Sequence, residues 1–236
     1  QAVGSTAKDT STSPLHYLPL SLGYTANTQS GGWQSQFNVV GTLGVRTLGR
    51  QLVDCLGYTD KVDSFTCARS GADQGFFTLR PDWRFVSRLW GKWDLVGHLG
   101  GQYASQPLVS NEQYTLGGAD SVRGYLVGEA SGDHAVLGSL ALRAPNVLAP
   151  NESGQQPLSW MSELTPYVFV DAGRVFVIDA LAGQDNSTGL ASVGAGLQFR
   201  SGSSVNGDLT VGVPLNTTTY TTHFHPRVQA RVSAQF

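Results

Sequence analysis

The chain has 236 residues, of which 40% are hydrophobic and 14% are charged, whereas an average soluble domain has about 25% charged residues. Its composition is too apolar for a disordered chain, and it lacks the run of about 18 apolar residues that a membrane-spanning helix needs. The formal net charge of -2 gives no electrostatic reason to expect nucleic acid as a partner. Low charge without long apolar runs favours β-strands.

Apolar and polar residues alternate with a period of two in segment after segment, as in strands whose two faces meet different surroundings. In the last segment Val228, Ala230 and Val232 share one face, while Gln229 and Arg231 share the other. The pattern predicts nine strands, near residues 15–28, 33–48, 75–89, 93–104, 135–144, 163–177, 188–200, 203–213 and 226–236.

The lengths of these segments and of their connections favour a transmembrane β-barrel. Several predicted strands reach the roughly 9 to 11 residues that cross a bilayer at a tilt. Short turns near 90–92 and 201–202 contrast with long connections at 49–74, 105–134 and 178–187, as in barrels with tight periplasmic turns and long external loops. A soluble β-sandwich is the alternative, but its strands would be shorter and its inner face bulkier.

We therefore predict an all-β fold: an antiparallel transmembrane β-barrel over residues 15–236, in the outer membrane of a bacterium. Bacterial single-chain barrels have an even number of strands, so residues 1–14 are expected to be a strand-poor N-terminal segment or a truncated preceding strand. The polar face of the strands should line the lumen. Its charged candidates are Arg46, Arg80, Arg84, Arg88, Arg143, Arg174, Arg200, Arg231, Asp82, Asp94 and Asp208.

Two cysteines, Cys55 and Cys67, lie in a polar segment with eleven residues between them. This spacing suits a disulfide that closes a loop in a protein folded outside the cytosol. A metal-binding pair or two unrelated thiols are the alternatives. The five histidines lie in no sequence pattern typical of a catalytic dyad or a complete metal site. The sequence therefore predicts no enzyme, no metal site and no cofactor.

Two segments contain the sequence motifs that are most specific for a function. The first, TLGGADSVRGYLVGEASGD, spans 115–133, and the second, PYVFVDAGRVFV, spans 166–177. A carboxylate such as Asp171 on a lumen wall needs a nearby cation to offset its lost hydration, and Arg123 can offer a bidentate one. Gly124 would let the loop backbone approach the wall closely.

At these segments the chain resembles the superfamily of outer-membrane protein insertases and polypeptide transporters, and within it the haemolysin secretion/activation transporters of two-partner secretion. The resemblance implies a barrel of sixteen strands, of which this chain carries about nine, five of them after the motif loop. It also implies that the loop folds inward and that its arginine contacts the strand's aspartate. The loop motif is Val122, Arg123, Gly124 and Tyr125, and the strand motif is Phe169, Asp171 and Gly173.

The implied function is a porin-like pore that exports one unfolded, β-rich partner protein without a nucleotide or other cofactor. The expected partners are this secreted polypeptide, outer-membrane lipid and the barrel assembly machinery. Phe236 resembles the C-terminal signal that such machinery recognises. One departure is Ala141, where transporters of this type often carry a glutamate. Two alternatives stay open: a barrel insertase of the same superfamily and a passive porin whose loop has no gating role.

Overall fold

The computed structural model describes residues 15–45, 52–55, 59–149, 158, 160–202 and 204–235. Residues 1–14, Arg46 and Phe236, on which three of the predictions depend, lie outside this part.

The strands are β1 (Leu18–Ser30), β2 (Trp33–Val45), β3 (Leu52–Val53), β4 (Val62–Asp63), β5 (Phe77–Arg88), β6 (Asp94–Ala104), β7 (Tyr114–Leu116), β8 (Ala130–Gly132), β9 (His134–Arg143), β10 (Glu163–Phe176), β11 (Ser187–Ser201), β12 (Val205–Pro214) and β13 (Arg227–Ala234), and one α-helix, α1, spans Ser64–Ala68.

Nine long strands form one antiparallel sheet in the order β1-β2-β5-β6-β9-β10-β11-β12-β13. These are the nine strands that the alternation predicts, and the all-β fold is confirmed. Four of them precede the motif loop and five follow it, as the resemblance implies. The short strands form two hairpins, β3-β4 and β7-β8. Among the residues that the structure describes, no helix has the length and apolar character needed to cross a membrane.

The connections make the two ends of the sheet unlike each other. One end, the short-turn end, includes the two-residue turn at Gly31 and Gly32, whose φ values of 51° and 94° fit the tight hairpin turns that glycine favours. The opposite end, the long-loop end, carries the connections 46–76, 105–133, 177–186 and 215–226. The short-turn end also carries one longer connection, 144–162. Outer-membrane barrels carry their long loops on the external side, so we expect the long-loop end to face the outside of the cell.

The inner face of the sheet is the face against which residues 117–129, the inner loop, lie. Asp171 faces inward and pairs with Ser192 on β11 and Ser139 on β9. The opposite, outer face exposes large apolar side chains on neighbouring strands, a distribution that needs lipid rather than water around it. Examples from this face are Leu20, Leu22, Leu140, Val168, Val170, Val193, Leu209, Val211, Val228 and Val232.

The prediction that Arg174 lines the lumen is wrong. Because successive side chains of a strand point to opposite faces, a residue three positions from Asp171 lies on the outer face. The Arg174 side chain donates from Nη2 to Ser187 Oγ at 2.8 Å and lies 5.5 Å from the Phe176 ring centroid. Its place near the end of β10 lets the charged group reach the membrane surface.

Candidate functional site

The hairpin of β7 and β8 joins the inner loop to the long-loop end of the sheet, and in it Leu116 pairs with Ala130. Within it, Val122 and Tyr125 are completely buried. Burial of apolar surface stabilises the loop against the inner face. The buried cluster that results joins the loop to β9, β10 and β11 and consists of Leu116, Val122, Tyr125, Ala130, Ala135, Leu137, Val175 and Leu190.

Arg123 and Asp171 form the central contact of the inner loop, which we call the inner lock. Arg123 Nε donates to Asp171 Oδ2 at 2.8 Å, and Nη2 donates to Oδ1 at 2.7 Å. The backbone N-H of Arg123 adds a third bond to Oδ2 at 3.0 Å. The Asp171 side chain is fully buried and that of Arg123 is 14% exposed. Bidentate geometry with the charge buried is what makes such a pair strong and specific.

Two wall residues support the inner lock from the strands. Ser139 donates to Asp171 Oδ1 at 2.6 Å and accepts from Arg123 Nη2 at 3.1 Å, so it bridges both charges. The guanidinium carbon of Arg123 lies 3.5 Å from the Phe169 ring centroid, a cation-π contact. Burial lowers the pKa of Arg123, but the hydrogen bond and charge of Asp171 outweigh it and raise that pKa above its usual value. The guanidinium therefore stays charged.

Gly124 lets the loop backbone touch the wall. Its φ of +88° is a conformation that side chains other than glycine rarely adopt, and a Cβ there would lie 2.9 Å from the carbonyl carbon of Gly212. The wall residue is itself a glycine, whose added Cβ would lie 2.6 Å from the Gly124 nitrogen. Two glycines thus permit a direct backbone contact between the inner loop and β12.

Tyr125 and the last strand hold the other side of the loop. The Tyr125 hydroxyl lies 2.9 Å from the carbonyl oxygen of Ala191 and accepts from the Asn216 backbone N-H at 3.1 Å. Gln229 on β13 donates from Nε2 to the carbonyl oxygen of Tyr125 at 3.2 Å. The loop is therefore bound to β9 through β13, and an outward movement must break contacts with all five strands.

The structure brings all seven predicted motif residues to the same place. Gly173 lies opposite the hairpin, where an added Cβ would be 2.8 Å from Leu116 Cδ1. Sequence reasoning missed Ser139, Gly212 and Gln229, because their roles depend on which residues face one another across the sheet. Ala141, the departure from the family pattern, pairs with Phe169 on the inner face, where its methyl group offers the loop no hydrogen bond.

Of the other predicted lumen residues, Arg84, Arg143, Asp208 and Arg231 line the same cavity as Arg123, whereas the two cysteines lie away from the inner lock. Cys55 and Cys67 form a disulfide in the long connection that contains α1, at the long-loop end. His98 faces inward, with Nε2 2.5 Å from Asp82 Oδ2. In the described part of the chain, no three or more His, Cys, Asp or Glu side chains are grouped as metal ligands would be.

Three comparisons with known proteins bear on this geometry. The family model for haemolysin secretion/activation proteins ShlB/FhaC/HecB matches residues 11–199. CdiB from Escherichia coli is similar in structure, with a TM-score of 0.67 and 21% identity, over 92% of this chain and 36% of CdiB. BamA from Haemophilus ducreyi lacking POTRA domains 1-3 gives a TM-score of 0.61 and 17% identity, over 91% of this chain and 42% of that chain. No curated protein matches the sequence.

The partial barrel and its inward loop, together with the family match, define the class: a β-barrel protein of the bacterial outer membrane. The chain covers less than half of either solved structure, and at these identities the likeness concerns the fold alone. The family match covers most of the chain, and the chain belongs to the haemolysin secretion/activation family ShlB/FhaC/HecB.

Proposed function

We propose that this chain forms part of the wall, and the inner loop, of an outer-membrane pore that exports an unfolded, β-rich partner polypeptide in two-partner secretion. The observation that carries the proposal is the inner lock, which pins a loop across the inner face through Arg123 and Asp171. It is supported by membership of a family of haemolysin secretion/activation proteins. Outer-membrane lipid would cover the apolar outer face, and the barrel assembly machinery would insert the chain.

Passage of a polypeptide requires the inner loop to move, because the loop lies against five strands of the inner face. Removing one partner of a buried ion pair is costly, since it leaves the other charge buried alone. Moving the whole loop into water is less costly, because both charges regain hydration together. The inner lock can therefore hold the loop in place at rest and release it as one unit.

The wall beside the loop is polar, as a path for an unfolded chain must be. Elsewhere on the inner face, charges of both signs lie in pairs, such as Arg88 Nε 3.1 Å from Asp94 Oδ1. Water and paired charges can satisfy the backbone groups of a passing polypeptide without trapping it at one site. Folding of the β-rich cargo outside would then supply the driving force, and no nucleotide is required.

A charge-exchange experiment tests the proposal. Arg123→Asp and Asp171→Arg are each expected to abolish secretion of the partner polypeptide, because each places two like charges in contact. The double variant should restore part of the secretion, measured as cargo in the culture medium. The control is Arg231→Gln, which removes an exposed contact of the same loop with Asp120. Normal secretion by both single variants would refute a gating role and favour a passive porin.

The second candidate function is that of a barrel insertase. The structural likeness to BamA, at a TM-score of 0.61, is the reason to test it. An insertase would template strands of other barrels, and its loss should lower many outer-membrane proteins at once. A secretion pore should affect one exported polypeptide only. Quantifying the outer-membrane proteins and the medium of a strain without this protein separates the two. A general fall of barrel proteins would contradict the export function.

A further inference from the structure

A second buried ion pair lies at the long-loop end, apart from the inner lock. Arg69 Nη2 donates to Asp133 Oδ2 at 2.6 Å, and Nη1 donates to Oδ1. The Asp133 side chain is fully buried and that of Arg69 is 18% exposed. We call this pair the outer latch. Asp133 is the residue between β8 and β9, so the pair holds the root of the inner loop.

The outer latch joins three connections that are far apart in sequence. Asp133 Oδ1 accepts from the Leu108 backbone N-H at 2.9 Å, and Oδ2 accepts from that of Ile178 at 2.7 Å. Arg69 Nη1 donates to the Leu108 carbonyl oxygen at 2.6 Å, and Nη2 donates to that of Ile178 at 2.9 Å. Each side chain therefore binds the other and the same two backbone segments. One pair fixes the segment before β5, the entry to the inner loop and the β10-β11 connection together.

An apolar cluster beside the latch closes the same end of the sheet. It contains the buried side chains of Phe65, Phe76 and Leu108, with Tyr17 packed against them. The Tyr17 ring meets Phe65 edge to face at a centroid distance of 5.3 Å. Phe65 lies in α1, and Leu108 lies in the connection that leads to β7. The cluster thus ties the helix segment to the entry of the inner loop.

The disulfide braces the short helix that positions Arg69. The helix α1 has five residues and ends at its C-cap, Arg69. A helix of this length is not stable without tertiary contacts. The bond between Cys67, which lies in α1, and Cys55, which follows β3, ties the helix to its neighbouring hairpin. Because Cys67 is two residues from Arg69, loosening this bond should loosen the arginine.

We propose that the outer latch, Arg69 with Asp133, is a positioning pair that holds the external mouth closed over the root of the inner loop, and that the Cys55–Cys67 disulfide braces it. The inner lock would hold the tip of the loop and the outer latch its root, so both must release before the lumen opens. This inference rests on the proposed pore but not on what passes through it. It is therefore tested by the passage of ions, without any cargo.

The experiment records single channels of the complete pore, with this chain in its wall, in planar lipid bilayers. Arg69→Gln and Asp133→Asn should each raise the fraction of time spent in large open states by about tenfold or more, as expected when a buried pair loses one partner. Their combination should add little to the larger single effect, since both break one contact. Arg69→Lys keeps the charge but loses the bidentate geometry, and it should fall between Arg69→Gln and wild type.

A matched control comes from the same connection. Lys61 and Asp54 form an exposed ion pair with an N-O distance of 3.9 Å, and Asp54→Asn should change the open fraction by less than about twofold. Dithiothreitol added to the external side should raise the open fraction of wild type and add little in Arg69→Gln. A thiol count of two after this treatment and none before it shows that the reagent acted on the disulfide.

The outcomes separate the latch from the pore. If wild type conducts but neither the variants nor the reductant change the open fraction, the outer latch is overturned and the pore is not. An increase in Asp54→Asn as large as that in Arg69→Gln would overturn it too. If the variants do not assemble, reduction of the assembled wild type decides alone. A wild type that never conducts would overturn the proposed pore, and the latch with it.

Discussion

The inner lock and the outer latch use the same chemistry in different surroundings. Both pair an arginine bidentately with a fully buried aspartate. The inner lock is completed by side chains, the Ser139 hydroxyl and the Phe169 ring. The outer latch is completed by backbone groups of two connections. The inner lock is completed by side chains on rigid strands, so it depends on the residue types at those positions. The outer latch also binds backbone groups, so it depends on how the connections are folded.

Removing the inner carboxylate is expected to have the largest effect on stability. Asp171→Ala leaves the Arg123 guanidinium buried, with Ser139 as its remaining hydrogen-bond partner on the wall. The cost should be about 3–5 kcal/mol in the free energy of unfolding, as for other buried pairs that lose one partner. Urea unfolding of the reconstituted barrel measures it. The control is Asp120→Ala, which breaks the exposed pair with Arg231 and should cost about 0–1 kcal/mol.

A comparable loss in both variants would mean that burial does not distinguish the two pairs. The inner lock would then be one of several equivalent contacts of the inner loop rather than its central one. The outer latch provides the same contrast with the exposed pair of Lys61 and Asp54.

The next largest loss of stability should come from disturbing the backbone contact between the inner loop and β12. Gly124→Ala forces a left-handed backbone on alanine, at about 1–3 kcal/mol, and also drives its Cβ against Gly212. Gly128→Ala is the matched control, because its φ is +70° but nothing lies within 4 Å of the added Cβ. The difference between the two variants, measured as urea unfolding midpoints, reports the close approach alone. Equal effects would show that only the backbone conformation matters.

Acid should weaken the outer latch. Burial raises the pKa of Asp133, but the bonds from Arg69, Ile178 and Leu108 outweigh burial and hold that pKa below its usual value. A carboxyl whose pKa is lowered by folding stabilises the fold fully above its unfolded pKa of about 3.9. This contribution is lost as the pH falls through the lowered folded pKa. Unfolding midpoints measured from neutral pH into this acid range should therefore fall.

The variant Asp133→Asn isolates this contribution. It lacks the titrating group, so its midpoint should fall less steeply with acid than that of wild type. Parallel curves for the two proteins would assign the acid sensitivity to other carboxyl groups and contradict the role given to Asp133.

These contrasts explain what could be predicted from the sequence. Alternation with a period of two was enough for the nine strands, because each strand separates lipid from water along its whole length. The inner lock followed from Arg123 and Asp171 within two recognisable segments. Asp133 lies at the end of the first segment, yet its partner Arg69 is 64 residues away in sequence. That pairing depends on the folding of a connection with five helical residues and no repeating pattern. The outward position of Arg174 was missed for a simpler reason, since counting from Asp171 places it on the opposite face.

The smallest effect should come from the edge of the apolar cluster, where the Tyr17 hydroxyl donates to Glu112 Oε1 at 2.5 Å. Burial, together with the hydrogen bond and charge of Glu112, raises the pKa of Tyr17 to about 12. A group whose pKa is raised by folding stabilises the fold fully below its unfolded pKa, about 10 for tyrosine. This contribution is lost as the pH rises through the folded value. Tyr17→Phe should cost about 0.5–1.5 kcal/mol at neutral pH, the usual range for one hydrogen bond.

An ultraviolet titration checks this value among the eight tyrosines of the chain. The difference between wild type and Tyr17→Phe isolates one phenolate, whose midpoint should lie near the raised value of about 12. A midpoint near that of free tyrosine would mean that Tyr17 is hydrated and not bound to Glu112. Tyr17 immediately precedes β1, so that result would detach the start of the sheet from the cluster that surrounds the outer latch. The inner lock, which has no contact with Tyr17 among the described residues, should then be unchanged.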